Sequence, residues 1–536
     1  MLKKVMTASL SGVDADFVMV ETDLQMGLPG VYMVGLADTT IREARERIRS
    51  AITNSGLQFP RRKITINLSP ANLPKEGSHF DLPLAVGILG TENDELDTDG
   101  YGMIGELSLD GTLKSVRGAL PLAICLREKG VKKIILPEGN AEEAALLQDV
   151  EVYPVKSLSE CVAFLSGRMK INRYIIEEKS QEKCVRVPDF ADVKGQETAK
   201  RALLVAAAGN HGILMIGSPG SGKTMMARRL PYIMPDMTYD EMIEVVRIHS
   251  AAGQPAGQML RPFRSPHHTI TKAALIGGGR IPRPGELSLA HNGILFLDEF
   301  GEFDSSTIEL LRQPIEEGYI TIDRARGTVR LPSDVLLVAA ANPCRCGYYG
   351  DDRHICTCTS AQLQQYQSKF SGPMLDRIDM HIQVTGAMQI DDETGKSGPG
   401  MSTAEMKAAV QAAVTLQRLR YQGTGIRSNS RLTEQEIKKY CVLTPDAEHF
   451  MKDAFASFGF SMRTYYKLLK VARTIADLDW AAANQAELCR MTAEEQVSAA
   501  LMPEGVPGGP IEVRHIAEAV QYRALDRFYR TERGDR

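Results

Sequence analysis

A chain of 536 residues with 43% hydrophobic and 24% charged residues has an ordinary globular composition and enough apolar mass for three or four domains. Its 63 basic and 67 acidic residues, net charge -4, exclude a globally basic nucleic-acid binder, although a local basic channel stays open because binding fields follow the distribution of charge. Nine sparse cysteines do not form a disulfide framework, and no apolar run reaches the ~18 residues of a membrane span. A soluble cytoplasmic protein with no membrane partner is expected, in a reducing compartment where thiols stay free or bind metal.

In chain order, residues 1–170 mix short apolar runs with turn signals: ITINLS at 64–69, GELSLDGTL at 105–113 and KKIILPEGN at 132–140. Asp110-Gly111 between alternating residues predicts a hairpin. Helices are predicted from Arg42 and across Ala119 to Lys129, so this is a mixed α/β domain. Residues 171–187 are charged and aperiodic and read as a linker. Residues 188–385 form a second domain, in which GILMIG at 212–217, GILFLDE at 293–299 and DVLLVAAAN at 334–342 are continuous apolar runs. Such runs mark strands buried on both faces of a parallel sheet. Residues 386–536 are helical in pattern.

Gly217, Ser218, Pro219, Gly220, Ser221, Gly222, Lys223 and Thr224 spell a phosphate-binding loop between a strand and a helix. The glycines let backbone N–H groups close on phosphates, Lys223 reaches the β and γ phosphates of ATP, and the Thr224 hydroxyl ligates magnesium. Asp298-Glu299 sits at the end of a buried strand, where open α/β sheets bind their ligands. Asp298 is expected to hold the magnesium and Glu299 to deprotonate the attacking water. Asn342 ends the next strand, either as a polar contact to the water or γ-phosphate or as a plain Asn-Pro turn.

These motifs, with DVKGQ at 192–196, RSPHHT at 264–269, GELSLAHNGILFLDE at 285–299, AAANPCRCGYYG at 339–350, SGPMLDRID at 371–379 and IAEAVQYRALDR at 516–527, resemble the magnesium-chelatase-like AAA+ ATPases of the ComM/YifB type over nearly the whole chain. The resemblance implies a hexameric ring with ATP sites between subunits, Arg377 as the finger reaching a neighbour's γ-phosphate, and Arg463 as the second sensor arginine. Read alone, Arg377 could as well pair with Asp376 or Asp379, and Arg463 could be solvated at a helix start. Two insertions are expected, one near 250–285 carrying Arg261, Arg264, Lys272, Arg280 and Arg283, the other a hairpin at 319–332 carrying Arg324 and Arg326. Facing a pore, such basic loops would contact DNA phosphates without reading sequence; otherwise they are solvated charges. His267 and His268 are open between functional and structural roles.

The first domain resembles the Lon-protease fold, in which the positions of the nucleophilic serine and its lysine fall on His79 and Leu120, with Ser78 adjacent and lacking an evident base. That implies a catalytically dead fold reused for assembly or binding. Cys344, Cys346, Cys356 and Cys358 could bind zinc or remain free thiols, since the one-residue spacing departs from the usual two to four. Between Trp480 and Ile511 some 481–510 is longer than the expected turn, which puts the local geometry of the helical lid in question. The functional expectation is an ATP-driven motor on single-stranded or branched DNA, for branch migration in recombination or transformation. The competing class is a chelatase-type motor remodelling a partner for metal insertion, against which stands the lack of a D-x-S-x-S motif.

Overall fold

The protein was analysed as a computed structural model, which describes residues 2–34, 39–176, 187–254, 260–279, 283–324, 327–351, 353–370, 372–385, 400–484 and 507–523. The expected linker is described only at its two ends.

The first domain is built on a seven-stranded sheet ordered Gly30–Val34, Lys63–Ser69, Asp14–Gln25, Leu2–Ser11, Tyr101–Met103, Lys133–Pro137, Glu151–Val155. Alternation explains the strand at Lys63–Ser69: Ile64, Ile66 and Leu68 are wholly buried while their neighbours are half-exposed. The predicted helices occur as Thr39–Asn54 and Ala119–Glu128. The helix Asp81–Leu89 is buried along its whole length, so its first carboxylate must be matched. Arg47 does this, donating from Nε and a terminal nitrogen to Asp81 at 3.0 and 2.9 Å. The predicted hairpin joins Glu106–Leu107 to Leu113–Lys114, and the Asp110 carboxylate accepts from the Thr112 amide and hydroxyl.

The second domain is a parallel five-stranded sheet. Its order is Phe263–Arg264, Ile294–Leu297, Leu336–Ala341, Ile213–Ile216, Met380–Gln383. All residues of Ile213–Ile216, Ile294–Leu297 and Leu336–Ala341 are buried, which is why their sequences lack alternation. The hairpin expected at 319–332 is present, pairing Tyr319–Arg324 with Gly327–Pro332. Ile320 and Leu331 bury its base, Arg330 lies 3.9 Å over the Tyr319 ring, and exposure rises towards Asp323 and Thr328 at its tip.

The third domain packs the helix Met462–Ala483 against Thr403–Arg420 and Val513–Gln521. Inside it, fully buried Asp477 accepts from Arg420 at 2.9 Å, Arg473 at 3.0 Å and Asn429 at 2.9 Å. The two guanidinium groups then donate to the carbonyls of Pro507, Gly508 and Gly509. This buried clasp and the hydrogen bonds between Leu443's neighbours and Ile511 fix the chain on the far side of residues 485–506, so the lid closes despite the extra length.

The first domain docks on the second through the helix Ala119–Glu128, against Tyr239–Ala252. The Gly118 amide donates to the Ser250 carbonyl at 2.9 Å and Arg247 pairs with Asp14 at 2.9 Å. The Gly12 turn approaches the base of the 319–332 hairpin so closely that a Cβ there would lie 2.7 Å from Val329.

Candidate active site

The loop 217–224 leaves the strand Ile213–Ile216 and opens the helix Lys223–Ala227. Two glycines are required by geometry. A Cβ on Gly217 would lie 2.2 Å from the Val384 carbonyl, and Gly222, the residue before the helix, has φ +89°, which side-chain-bearing residues rarely adopt. The loop's amides and the helix start therefore face an anion. Lys223 folds over the loop, donating to the carbonyls of Gly217 at 2.8 Å and Ser218 at 2.9 Å and to the Ser221 hydroxyl at 3.2 Å. Burial pulls its ammonium down to about 8, opposed by the charge of Asp298.

The Thr224 hydroxyl donates to Asp298 at 2.8 Å, so an alcohol and a carboxylate converge beside the phosphate cradle. This pair of hard oxygen ligands fits magnesium, which would neutralise phosphate charge there. Glu299 follows with φ +50°, a strained left-handed conformation, and its amide donates to Asp298 at 3.0 Å. The Glu299 carboxylate remains 60% exposed and lies 3.4 Å from His268 Nδ1. Asn342 ends the strand Leu336–Ala341, whose last carbonyl accepts from the Gly217 amide at 3.2 Å, and so stands next to the loop. Strand order thus brings Lys223, Thr224, Asp298, Glu299 and Asn342 to one edge of the sheet.

Arg377 and Arg463 stand at the opposite edge. Arg377 precedes Met380, which pairs with Ile213 at the start of the strand whose other end becomes the P-loop. Four residues of strand put roughly 13 Å between those edges. Both arginines meet Glu316, Arg377 through Nε at 3.1 Å and Arg463 through a terminal nitrogen at 3.1 Å, beside a cavity of about 460 Å³. Glu316 is thus a partner of Arg377 that lies outside the LDRID motif. Asp379 instead accepts from His211 at 3.0 Å and Lys467 at 2.5 Å.

Family comparison agrees with this geometry. Residues 189–391 match the family model described as magnesium chelatase, subunit ChlI; residues 20–140 match subunit ChlI of Mg-chelatase; and residues 400–491 match the ChlI C-terminal model. The YifB protein of Salmonella typhimurium is 40% identical, covering 98% of this chain and 97% of its own length. The competence protein ComM of Haemophilus influenzae is 38% identical over 96% of each chain. This chain belongs to the magnesium-chelatase-like family of YifB and ComM. The magnesium-chelatase 67 kDa subunit of Chlorobaculum tepidum matches more narrowly, 26% identical over 29% of this chain and 23% of its own. Membership makes the protein an AAA+ motor ATPase that uses ATP and magnesium.

In this YifB/ComM-family chain the basic insertions divide. Arg264 is not a loop charge: it lies on the edge strand Phe263–Arg264, with its guanidinium bidentate to Glu286 at 2.7 Å on both nitrogens. Arg261 is buried, donating to the carbonyls of Pro235 and Asn292 and to Glu241. Lys272 is exposed at the start of the helix Lys272–Ile276. Arg324 ends the first hairpin strand, while Arg280 and Arg326 lie outside the described residues.

The sulfurs of Cys344, Cys346, Cys356 and Cys358 all lie within 4.8 Å of one another. The one-residue spacing is accommodated because the chain turns at Gly347, φ +90°, bringing Cys344 and Cys346 to 3.3 Å. In the first domain the His79 ring is buried against the Ala8 carbonyl at 3.0 Å and driven down to about 4 by burial. Leu120 is fully buried where the two domains meet. Ser78, expected to lack an evident base, donates its hydroxyl to the Glu106 carboxylate. His268, Glu316 and the acidic partner Glu286 were not assigned from the sequence. His268 and Glu286 carried a signal, their places in RSPHHT and GELSLAHNGILFLDE; Glu316 carried none.

No described helix is long and apolar enough to cross a membrane.

Proposed function

We propose that the protein is a hexameric ring motor that uses ATP hydrolysis to move along or remodel DNA, in branch migration during recombination or uptake of DNA. The observation carrying this reading is the separation of Arg377 and Arg463 from their own P-loop. A site that needs an arginine at the γ-phosphate is completed by the neighbouring subunit in a head-to-tail contact, which a ring repeats at every interface. Full-length likeness to a competence protein, against a partial likeness to chelatase subunits, favours DNA as the substrate. The 319–332 hairpin, anchored at its base and carrying Arg324 and Arg326 at its turn, is the proposed DNA contact together with Lys272 and Arg280. Arg264 is the weakest member of the set because Glu286 already neutralises it.

Two subsidiary readings complete the proposal. The four clustered thiols hold zinc. The first domain is a Lon-protease-like fold without protease activity, because the His79 ring and Leu120 are both buried and Ser78 faces a carboxylate instead of a lysine.

The test is ATPase stimulation by single-stranded and branched DNA, with the salt dependence of DNA affinity for Arg324→Ala/Arg326→Ala and Lys272→Ala rings. Each phosphate contact removed should lower the salt slope by about one unit and weaken binding for all sequences alike. No stimulation, with slope and affinity unchanged in both variants, overturns the DNA reading and leaves a chelatase-type motor acting on a protein partner.

A further inference from the structure

The segment from Pro343 to Thr359 contains neither helix nor strand where it is described. Ordering such a loop costs roughly 1–2 kcal/mol per residue, and its one large apolar side chain, Ile355, is 91% exposed and buries nothing. The loop's sulfurs converge, beside the ring contact of Tyr348 with His354 at 4.6 Å. Zinc bonded to four thiolates at ~2.3 Å in a tetrahedron sets them ~3.8 Å apart. Cys344 and Cys356 are 3.8 Å apart, Cys346 and Cys356 3.5 Å. Backbone amides face the sulfurs: Tyr348 and Thr357 towards Cys346, Gly347 and Tyr349 towards Cys344, Cys358 towards Cys356. Such donors stabilise thiolates around a metal, and soft sulfur ligands favour zinc over magnesium.

The same loop rests on the P-loop. Gly347 approaches Pro219 so closely that a Cβ would lie 2.8 Å from two of its ring carbons. The Asp351 carboxylate, fixed by the amides of Arg353 at 2.9 Å and His354 at 3.1 Å, also faces the Ser218 hydroxyl, which helps hold it below the usual carboxylate range. The loop begins directly after Asn342, so one structure touches both the phosphate cradle and the polar residue at the central strand end.

We infer that the four cysteines form a structural zinc site whose loop caps the P-loop, so that zinc occupancy sets nucleotide affinity. This rests on the zinc reading above, and the two parts separate experimentally. Removing zinc frees the loop, releases Ser218 and Pro219, and loosens the cradle without touching Lys223, Thr224 or Asp298. Thiol oxidation, which expels zinc, acts on ATP binding by the same route.

The experiment uses the full chain expressed with added zinc. Elemental analysis should find one zinc per chain in the purified protein and none in Cys356→Ala/Cys358→Ala. Binding of a fluorescent ATP analogue with magnesium should weaken about three- to tenfold in the zinc-free variant, the scale of one lost hydrogen bond with its packing. Asp351→Ala should keep its zinc yet show the same weakening, which covers the case in which the cysteine variant misfolds. Zinc bound with nucleotide affinity unchanged in Asp351→Ala overturns the cap and spares the metal site. Absence of zinc from the purified protein overturns both.

Discussion

Glu316 is the residue whose replacement tests the arrangement of the two arginines most directly. Its carboxylate lies 3.1 Å from both Arg377 and Arg463, with side-chain exposures of 40% for Glu316, 14% for Arg377 and 50% for Arg463. Partly exposed ion pairs contribute about 0.2–1 kcal/mol each, so the two together hold the arginines back by about 0.5–2 kcal/mol. On the proposed ring reading, Arg377 must leave Glu316 to reach a neighbour's γ-phosphate, and Arg463 must leave it to act as a sensor. Glu316→Gln removes the charge and keeps the shape. At about 1.4 kcal/mol per decade, the released population rises roughly two- to thirtyfold, and the ATPase kcat/KM of assembled rings should rise by that factor. Arg377→Ala should instead lose about 10³–10⁵ in rate. The assay is steady-state ATP hydrolysis across protein concentrations, with sedimentation to confirm assembly. A Glu316→Gln ring as inactive as Arg377→Ala would refute the reasoning, because Glu316 would then be aiming the arginines and not withholding them.

Glu299→Gln should bind ATP normally and stop turnover. His268→Ala, which removes the contact to Glu299, should lower kcat about two- to fivefold with ATP affinity unchanged, and a matching loss of affinity would place His268 at the nucleotide instead of at Glu299. Lys223 without nucleotide loses its proton near pH 8, against 10.5 for an ordinary lysine, and phosphates favour the charged form. Nucleotide binding at about pH 9 should therefore take up close to one proton, read by calorimetry in two buffers, and affinity should fall about tenfold per pH unit above 8. By the same linkage the unfolded chain holds the extra proton between 8 and 10.5, so the nucleotide-free protein gains stability as pH rises through that window; calorimetry with no proton uptake would contradict both statements. Asp477→Asn strands two buried guanidinium groups and should cost about 3–5 kcal/mol, read as a hundred- to several-thousandfold loss of amide-exchange protection in the helix Met462–Ala483; a loss below tenfold would show that the clasp is dispensable.

The nucleotide edge was legible in the sequence because each part is local: a glycine pattern, two acids after an apolar run, an asparagine before proline. The hairpin at 319–332 was legible for the same reason, since alternation and a turn glycine lie within a few residues. What escaped was pairing across the chain. Glu316 lies 61 residues from Arg377, and nothing in LDRID announces it. Arg264 resembled a loop charge because its strand is two residues long, too short for any periodicity, and its neutralising Glu286 belongs to another element. Likewise nothing local marks Arg420, Asp477 and Arg473 as buried, yet all three are, because burial of charge depends on partners that only the folded chain assembles.

That clasp makes the described end at Asn484 a point at which the chain can be lengthened. The described residues on either side are fastened to one another through Arg420, Arg473 and Asp477. Closing a longer connection costs only about 0.6 kcal/mol per doubling of its length. A folded module, such as a fluorescent reporter, inserted directly after Asn484 should ride at the lid and leave the ATP-binding edge of the sheet undisturbed.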